Sequence, residues 1–153
     1  MNKKILAILA LLIFATSITA VSAFDLGSLF GGEQNETVTI EGIKFNIPAG
    51  YEEDASNYSD TLVAPIKELG ANISAKGYVN DNTGVEIVVA DYSKLDLTDE
   101  MALSTTDGNA TKINGVDGLL NHDKDYYFTF TKDKHLVIMT SNDQKAFADF
   151  IIA

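Results

Sequence analysis

Alternation of apolar and polar residues begins at Thr37. Val38, Ile40, Ile43, Phe45 and Ile47 are apolar, while Thr37, Thr39, Lys44 and Asn46 between them are polar. Strand side chains point to opposite faces in turn, so this run, folded about Glu41-Gly42, predicts a hairpin with one buried side. Ile40 then faces Ile43, and Val38 faces Phe45. Gly42 supplies the positive φ that a two-residue turn needs. Pro48 ends the second strand, because it brings no N–H to a ladder.

Residues 49–60 are polar and acidic and read as a loop. Pro65 to Leu69 followed by Gly70 reads as a short helical turn with Pro at its start and Gly just past its end. Ile73–Val79 and Val85–Tyr92 predict a second hairpin about Asp81-Asn82-Thr83-Gly84. Val85–Tyr92 is almost continuously apolar, as expected of a central strand covered on both faces. Thr98-Asp99-Glu100 reads as an N-cap with acids in the first turn, so residues 99–105 are a short helix. Asn114-Gly115 is the strongest turn signal in the chain. It pairs Ile113 with Val116 and sets Lys112 opposite Asp117. Tyr126–Thr131 and His135–Ser141 predict a third hairpin with two open registers. A two-residue loop places Val137 and Met139 beside Phe128 and Phe130; a three-residue loop places Leu136 and Ile138 there. Asp143 caps a final helix, 144–152, with Ala146, Phe147, Phe150 and Ile151 as its buried stripe.

These elements predict an α+β domain over residues 36–153. Its sheet is mainly antiparallel, with six or seven strands built from three hairpins, and two or three short helices lie on one face.

Ahead of that domain the pattern changes. Met1-Asn2-Lys3-Lys4 is a positive n-region, Ile5–Phe14 is an unbroken apolar run, and Ala15–Ala23 is small and hydroxylated. That layout predicts a secretory signal over residues 1–23, cleaved between Ala23 and Phe24. The rival reading is an uncleaved anchor, since Ile5–Ala23 approaches the roughly 20 residues needed to cross a bilayer. Residues 24–35 then form a linker.

Composition narrows the function. The chain has no cysteine, so a disulfide framework, a thiolate metal site and a lipid-modified N-terminal Cys are excluded. Lysine supplies every basic side chain but the two histidines, and the formal charge is −11. Loss of Lys3 and Lys4 with the signal would make it −13. Nucleic acid needs a positive footprint, so it is excluded as a partner, and anionic lipid headgroups are disfavoured. A membrane contact is expected only through residues 1–23, if uncleaved.

The run Ile43-Lys44-Phe45-Asn46-Ile47-Pro48-Ala49-Gly50-Tyr51, with Ile113-Asn114-Gly115, the aromatic strand Tyr126–Phe130 and the terminal helix, resembles small secreted proteins of unknown function from methane-producing archaea. Phe24-Asp25-Leu26-Gly27-Ser28-Leu29-Phe30-Gly31-Gly32 is similar to their segment after the signal. The opening is more weakly similar to PsbP-like domains, which carry an antiparallel sheet with helices. Neither resemblance implies an activity or a functional residue.

Motifs for chemistry are scarce. The nucleophile elbow, H-E-x-x-H, the Walker loop and the dinucleotide fingerprint are absent from the sequence. His122, Asp123, Asp125 and His135 bracket one predicted strand and are the candidate metal ligands; the alternative is two unrelated surface histidines. No cofactor is expected, beyond weak divalent cation binding at clusters such as Glu52-Glu53-Asp54 and Asp99-Glu100.

Two surface features are more specific. Asn35, Asn57, Asn72 and Asn109 each begin an N-x-[ST] sequon. The 11 asparagines of the chain would give roughly 1.6 such sites by chance at its Ser and Thr content, so four is a mild excess. Tyr51 and Tyr58 lie in the acidic loop and are candidates for recognition, or else cap the edge of the core. The expected function is a non-enzymatic exported or cell-surface domain that binds an envelope component or a protein partner. The alternative is an exported metal-assisted hydrolase using His122, His135 and nearby carboxylates.

Overall fold

The computed structural model describes residues 35–56 and 58–153. They belong to a compact unit spanning Glu33–Ala153. The segments read above as a signal (1–23), a cleavage junction at Ala23–Phe24 and a linker as far as Gln34, and the sequon residue Asn57, lie outside the described residues.

Among the described residues nine strands and three short helices follow in the order β1 (Glu36–Ile40), β2 (Ile43–Ile47), β3 (Glu52–Asp54), α1 (Asp60–Glu68), β4 (Asn72–Asn80), β5 (Thr83–Asp91), α2 (Asp99–Leu103), β6 (Asn109–Ile113), β7 (Val116–His122), β8 (Tyr126–Lys132), β9 (His135–Ser141) and α3 (Ala146–Phe150). β1 and β2 form a two-stranded sheet, and the rest form a seven-stranded sheet in the order β3-β4-β5-β9-β8-β7-β6. Every pairing is antiparallel. The fold is therefore α+β with a mainly antiparallel sheet.

Tight turns set the register. Glu41 and Gly42 have φ of 49° and 83°, and Asn114 and Gly115 have 45° and 82°. Both central residues are left-handed, as a two-residue turn between right-twisted strands requires. Ile40 pairs with Ile43 and Val38 with Phe45. Asp133 and Lys134 also take positive φ, so the open register resolves to the two-residue loop, with Phe128 opposite Met139 and Phe130 opposite Val137. The second hairpin turns more tightly than expected, at Asp81-Asn82, with Thr83 and Gly84 already in β5.

The helices are not confined to one face. Val85, Ile87 and Val89 of β5, with Val137 and Met139 of β9, pack against α3 and the β1–β2 hairpin through Phe45, Phe147, Phe150 and Ile151. The alternate residues Val88, Ala90, Leu136 and Ile138 pack against α1 and α2 through Val63, Ile66, Tyr92 and Ala102. Two central strands that are apolar on both sides need cover on both sides, and no one-sided arrangement supplies it.

Other local readings change as well. The helix expected at 65–69 begins at Asp60 and carries Pro65 inside it. Pro65 is exposed, and burial of Val63 and Ile66 on the other side holds the turn despite the missing N–H. Gly70 (φ 103°) ends it as expected, with Gly70 N–H on the Lys67 carbonyl and Ala71 N–H on that of Ile66. Within the supposed loop 49–60, β3 adds an edge strand to Gly77–Val79. The last helix is shorter than 144–152, because Ile151 leaves it to bridge Phe45.

Candidate functional site

The register of β8 decides the histidines. His122 pairs with Tyr126 at one end of the strand, and His135 pairs with Lys132 at the other. Six extended residues separate the two positions by roughly 20 Å. The two rings do not converge on one ion. His135 is engaged locally: Nδ1 lies 2.8 Å from the Asp133 carbonyl and Nε2 lies 3.8 Å from Asp91 Oδ1. The Ser93 hydroxyl and the Ser93 N–H hold the Asp91 carboxyl below the usual range, and His135 and Lys94 add to this. Asp123 and Asp125 close a tight turn, with Asp123 N–H on the Asp125 carbonyl. Among the described residues no group of three or more His, Asp or Glu is arranged to hold a metal.

The tyrosines of the acidic loop part company. Tyr51 meets Phe150 edge-on at 4.9 Å between ring centroids. Burial pushes its phenol up, and Asp149 and Asp143 add to this. Tyr58 packs against the opposite cluster, beside α1 and α2. Each packs against its own side of the core. Asn35, Asn72 and Asn109 are exposed.

Two concave regions stand out among the described residues. One, of about 350 Å³, lies over the ends of β4, β5 and β9, lined among others by Asp54, Gly77, Glu86, Asp125 and Thr140. Glu86 stands opposite both Gly77 and Thr140 and accepts a hydrogen bond from the Ser56 hydroxyl. Its wall is acidic.

The second, of about 580 Å³, lies between the β6–β7 tip, Tyr126 and the segment leading into α3. Lys112, Asn114, Tyr126, Asn142, Asp143, Gln144 and Lys145 line it. Its walls are tied down over long sequence separations. Asn114 donates its amide to the Ile151 carbonyl at 2.7 Å. The Asn142 side chain accepts from Gly84 N–H at 3.1 Å and donates to the Asn82 carbonyl at 2.6 Å. The Tyr126 ring stacks on that of His122, 4.1 Å apart and 17° from parallel. Lys112 pairs with Asp117 at 3.2 Å across the hairpin, an exposed contact that leaves its ammonium exchangeable. No carboxylate pairs with Lys145 among the described residues. Two lysines, three amides and an aromatic ledge can bind a polar ligand by hydrogen bonds and ring contact.

The sequence alone did not single out this cleft. Its residues come from three separate segments, and only the β8–β9–α3 packing gathers them. The Asn114-Gly115 turn was legible, but not that its tip faces residues 142–148. No family model matches this chain, and neither does a curated protein or a solved structure.

Proposed function

We propose that this is an exported, non-enzymatic domain that binds an envelope component or a protein partner. The binding surface is the cleft between Lys112–Asn114, Tyr126 and residues 142–148. The observation that carries the reading is a polar cleft with pre-tied walls, holding two of the chain's few cations beside a stacked tyrosine. Pre-organisation of this kind lowers the entropy cost of binding. The placement of His122 and His135 at opposite ends of β8 favours this reading over a metal-assisted hydrolase that uses both.

Export supplies the setting. N-terminal sequencing of the native protein is expected to begin at Phe24 in an extracellular or surface fraction. Co-sedimentation with native cell envelopes tests the cleft. The Tyr126→Ala, Lys145→Glu double variant is expected to bind at least about tenfold more weakly, or about 1.4 kcal/mol. Equal retention of the variant, or no retention of the wild type, overturns the proposal.

A further inference from the structure

Three of the four sequons fall in described residues, and each stands at a place where a strand lacks a neighbour. Asn109 opens β6, which pairs with β7 and forms one edge of the seven-stranded sheet. Asn72 opens β4 near the other edge. There β3 pairs only with Gly77–Val79, so among the described residues no strand lies beside Asn72–Lys76 on that side. Asn35 immediately precedes β1, the outer strand of the two-stranded sheet. All three side chains are exposed. Asn35 accepts from Ala49 N–H through its amide oxygen at 3.0 Å, which leaves the nitrogen for modification.

An unpaired strand edge is a template for another chain. The acids of β3, Glu52-Glu53-Asp54, blunt one edge by charge. β6 (Asn109–Ile113) and β1 (Glu36–Ile40) carry one charged residue each. The negative charge, −11 for the whole chain and −13 without Lys3 and Lys4, repels other copies only while salt does not screen it: the Debye length is roughly 3 Å at 1 M. A docking strand must approach to about 4.8 Å, and a glycan beside the edge occupies that space.

We propose that Asn109, Asn72 and Asn35 carry N-linked glycans that guard these free edges against strand-to-strand association. In the transfer, the asparagine Nδ2 attacks C1 of a polyprenyl-phosphate-linked oligosaccharide. The N–C1 bond forms, the C1–O bond to phosphate breaks, Nδ2 loses one proton, and the polyprenyl phosphate leaves. The inference rests on the export reading above, since the sugar donor must meet the chain outside the cytoplasm.

The test uses the native exported protein and an Asn35→Gln, Asn72→Gln, Asn109→Gln variant made in the same host. Peptide mass mapping is expected to find sugar mass on all three asparagines. Light scattering at about 0.1 M and about 1 M salt is expected to show a monomer for the native protein at both. The variant is expected at least to double its mean mass at the higher salt. Enzymatic removal of glycans from folded native protein should produce the same shift, which separates edge exposure from misfolding of the variant. Bare asparagines on exported protein overturn this proposal alone, as does a glycan-free protein that stays monomeric at high salt. Cytosolic protein retaining Met1 overturns the export reading and this inference with it.

Discussion

Tyr92 donates its phenol O–H to Asp99 Oδ1 at 2.7 Å. Tyr92 is fully buried just past the end of β5, whereas Asp99 is the exposed first residue of α2. The bond ties the sheet to a five-residue helix that is too short to stand alone. Tyr92→Phe keeps the ring and removes only the bond. It is expected to cost about 1 kcal/mol, read as a lower urea midpoint with an unchanged slope.

Alkaline stability follows from the same residue and three others. Burial raises the phenols of Tyr51, Tyr78, Tyr92 and Tyr127, and nearby carboxylates add to this in each case. The folded state keeps these protons where the unfolded chain gives them up, near pH 10. Their contribution is therefore complete below about pH 10 and is lost as pH rises through the folded values. Denaturation midpoints are expected to fall above about pH 10. The Tyr92→Phe protein should show a shallower fall, and an equal slope in both proteins would contradict the assignment.

Gly118 has no room for a side chain. A Cβ there would lie 2.4 Å from the Thr129 carbonyl oxygen and 2.8 Å from Phe128 Cε2. Neither the paired backbone of β8 nor the fully buried Phe128 can retreat cheaply. Gly118→Ala is expected to destabilise by about 1–3 kcal/mol. Gly84→Ala is the control, because nothing lies within 4 Å of its Cβ position. It should stay within about 0.5 kcal/mol of wild type. Similar thermal shifts for the two variants would refute the packing argument.

The two histidines are expected to act independently. His122→Gln removes a stack on Tyr126, and His135→Gln removes the contact with Asp91. Each should cost less than about 1 kcal/mol, and the double variant should show the sum, since distant sites add. Zinc titration by calorimetry is expected to give the same trace for wild type and double variant. A zinc-dependent heat lost only when both are replaced would restore a shared site.

Much of the sheet was legible because its signals are local. Asn114-Gly115 strongly favours the left-handed pair of a two-residue hairpin turn, and Val38, Ile40, Ile43, Phe45 and Ile47 can share one side in only one register. β3 was missed because Glu52-Glu53-Asp54 has no apolar alternation; it is a strand only because β4 offers it an edge. Helix α1 was read too short because Pro65 usually begins a helix, and burial of Val63 and Ile66 outweighed that preference.

By itself the sequence determined that the hairpins exist, the turns at Glu41-Gly42 and Asn114-Gly115, the buried stripe of the last helix and the acidic, cysteine-free composition. Each depends on neighbouring residues or on composition. Only the tertiary structure decided that helices cover both faces, that His122 and His135 stand at opposite ends of β8, and that Lys112, Tyr126 and Lys145 share a cleft. Those facts depend on strand order, above all on β5 pairing with β9. Residues more than 40 positions apart meet there, and no local period in the chain encodes that meeting.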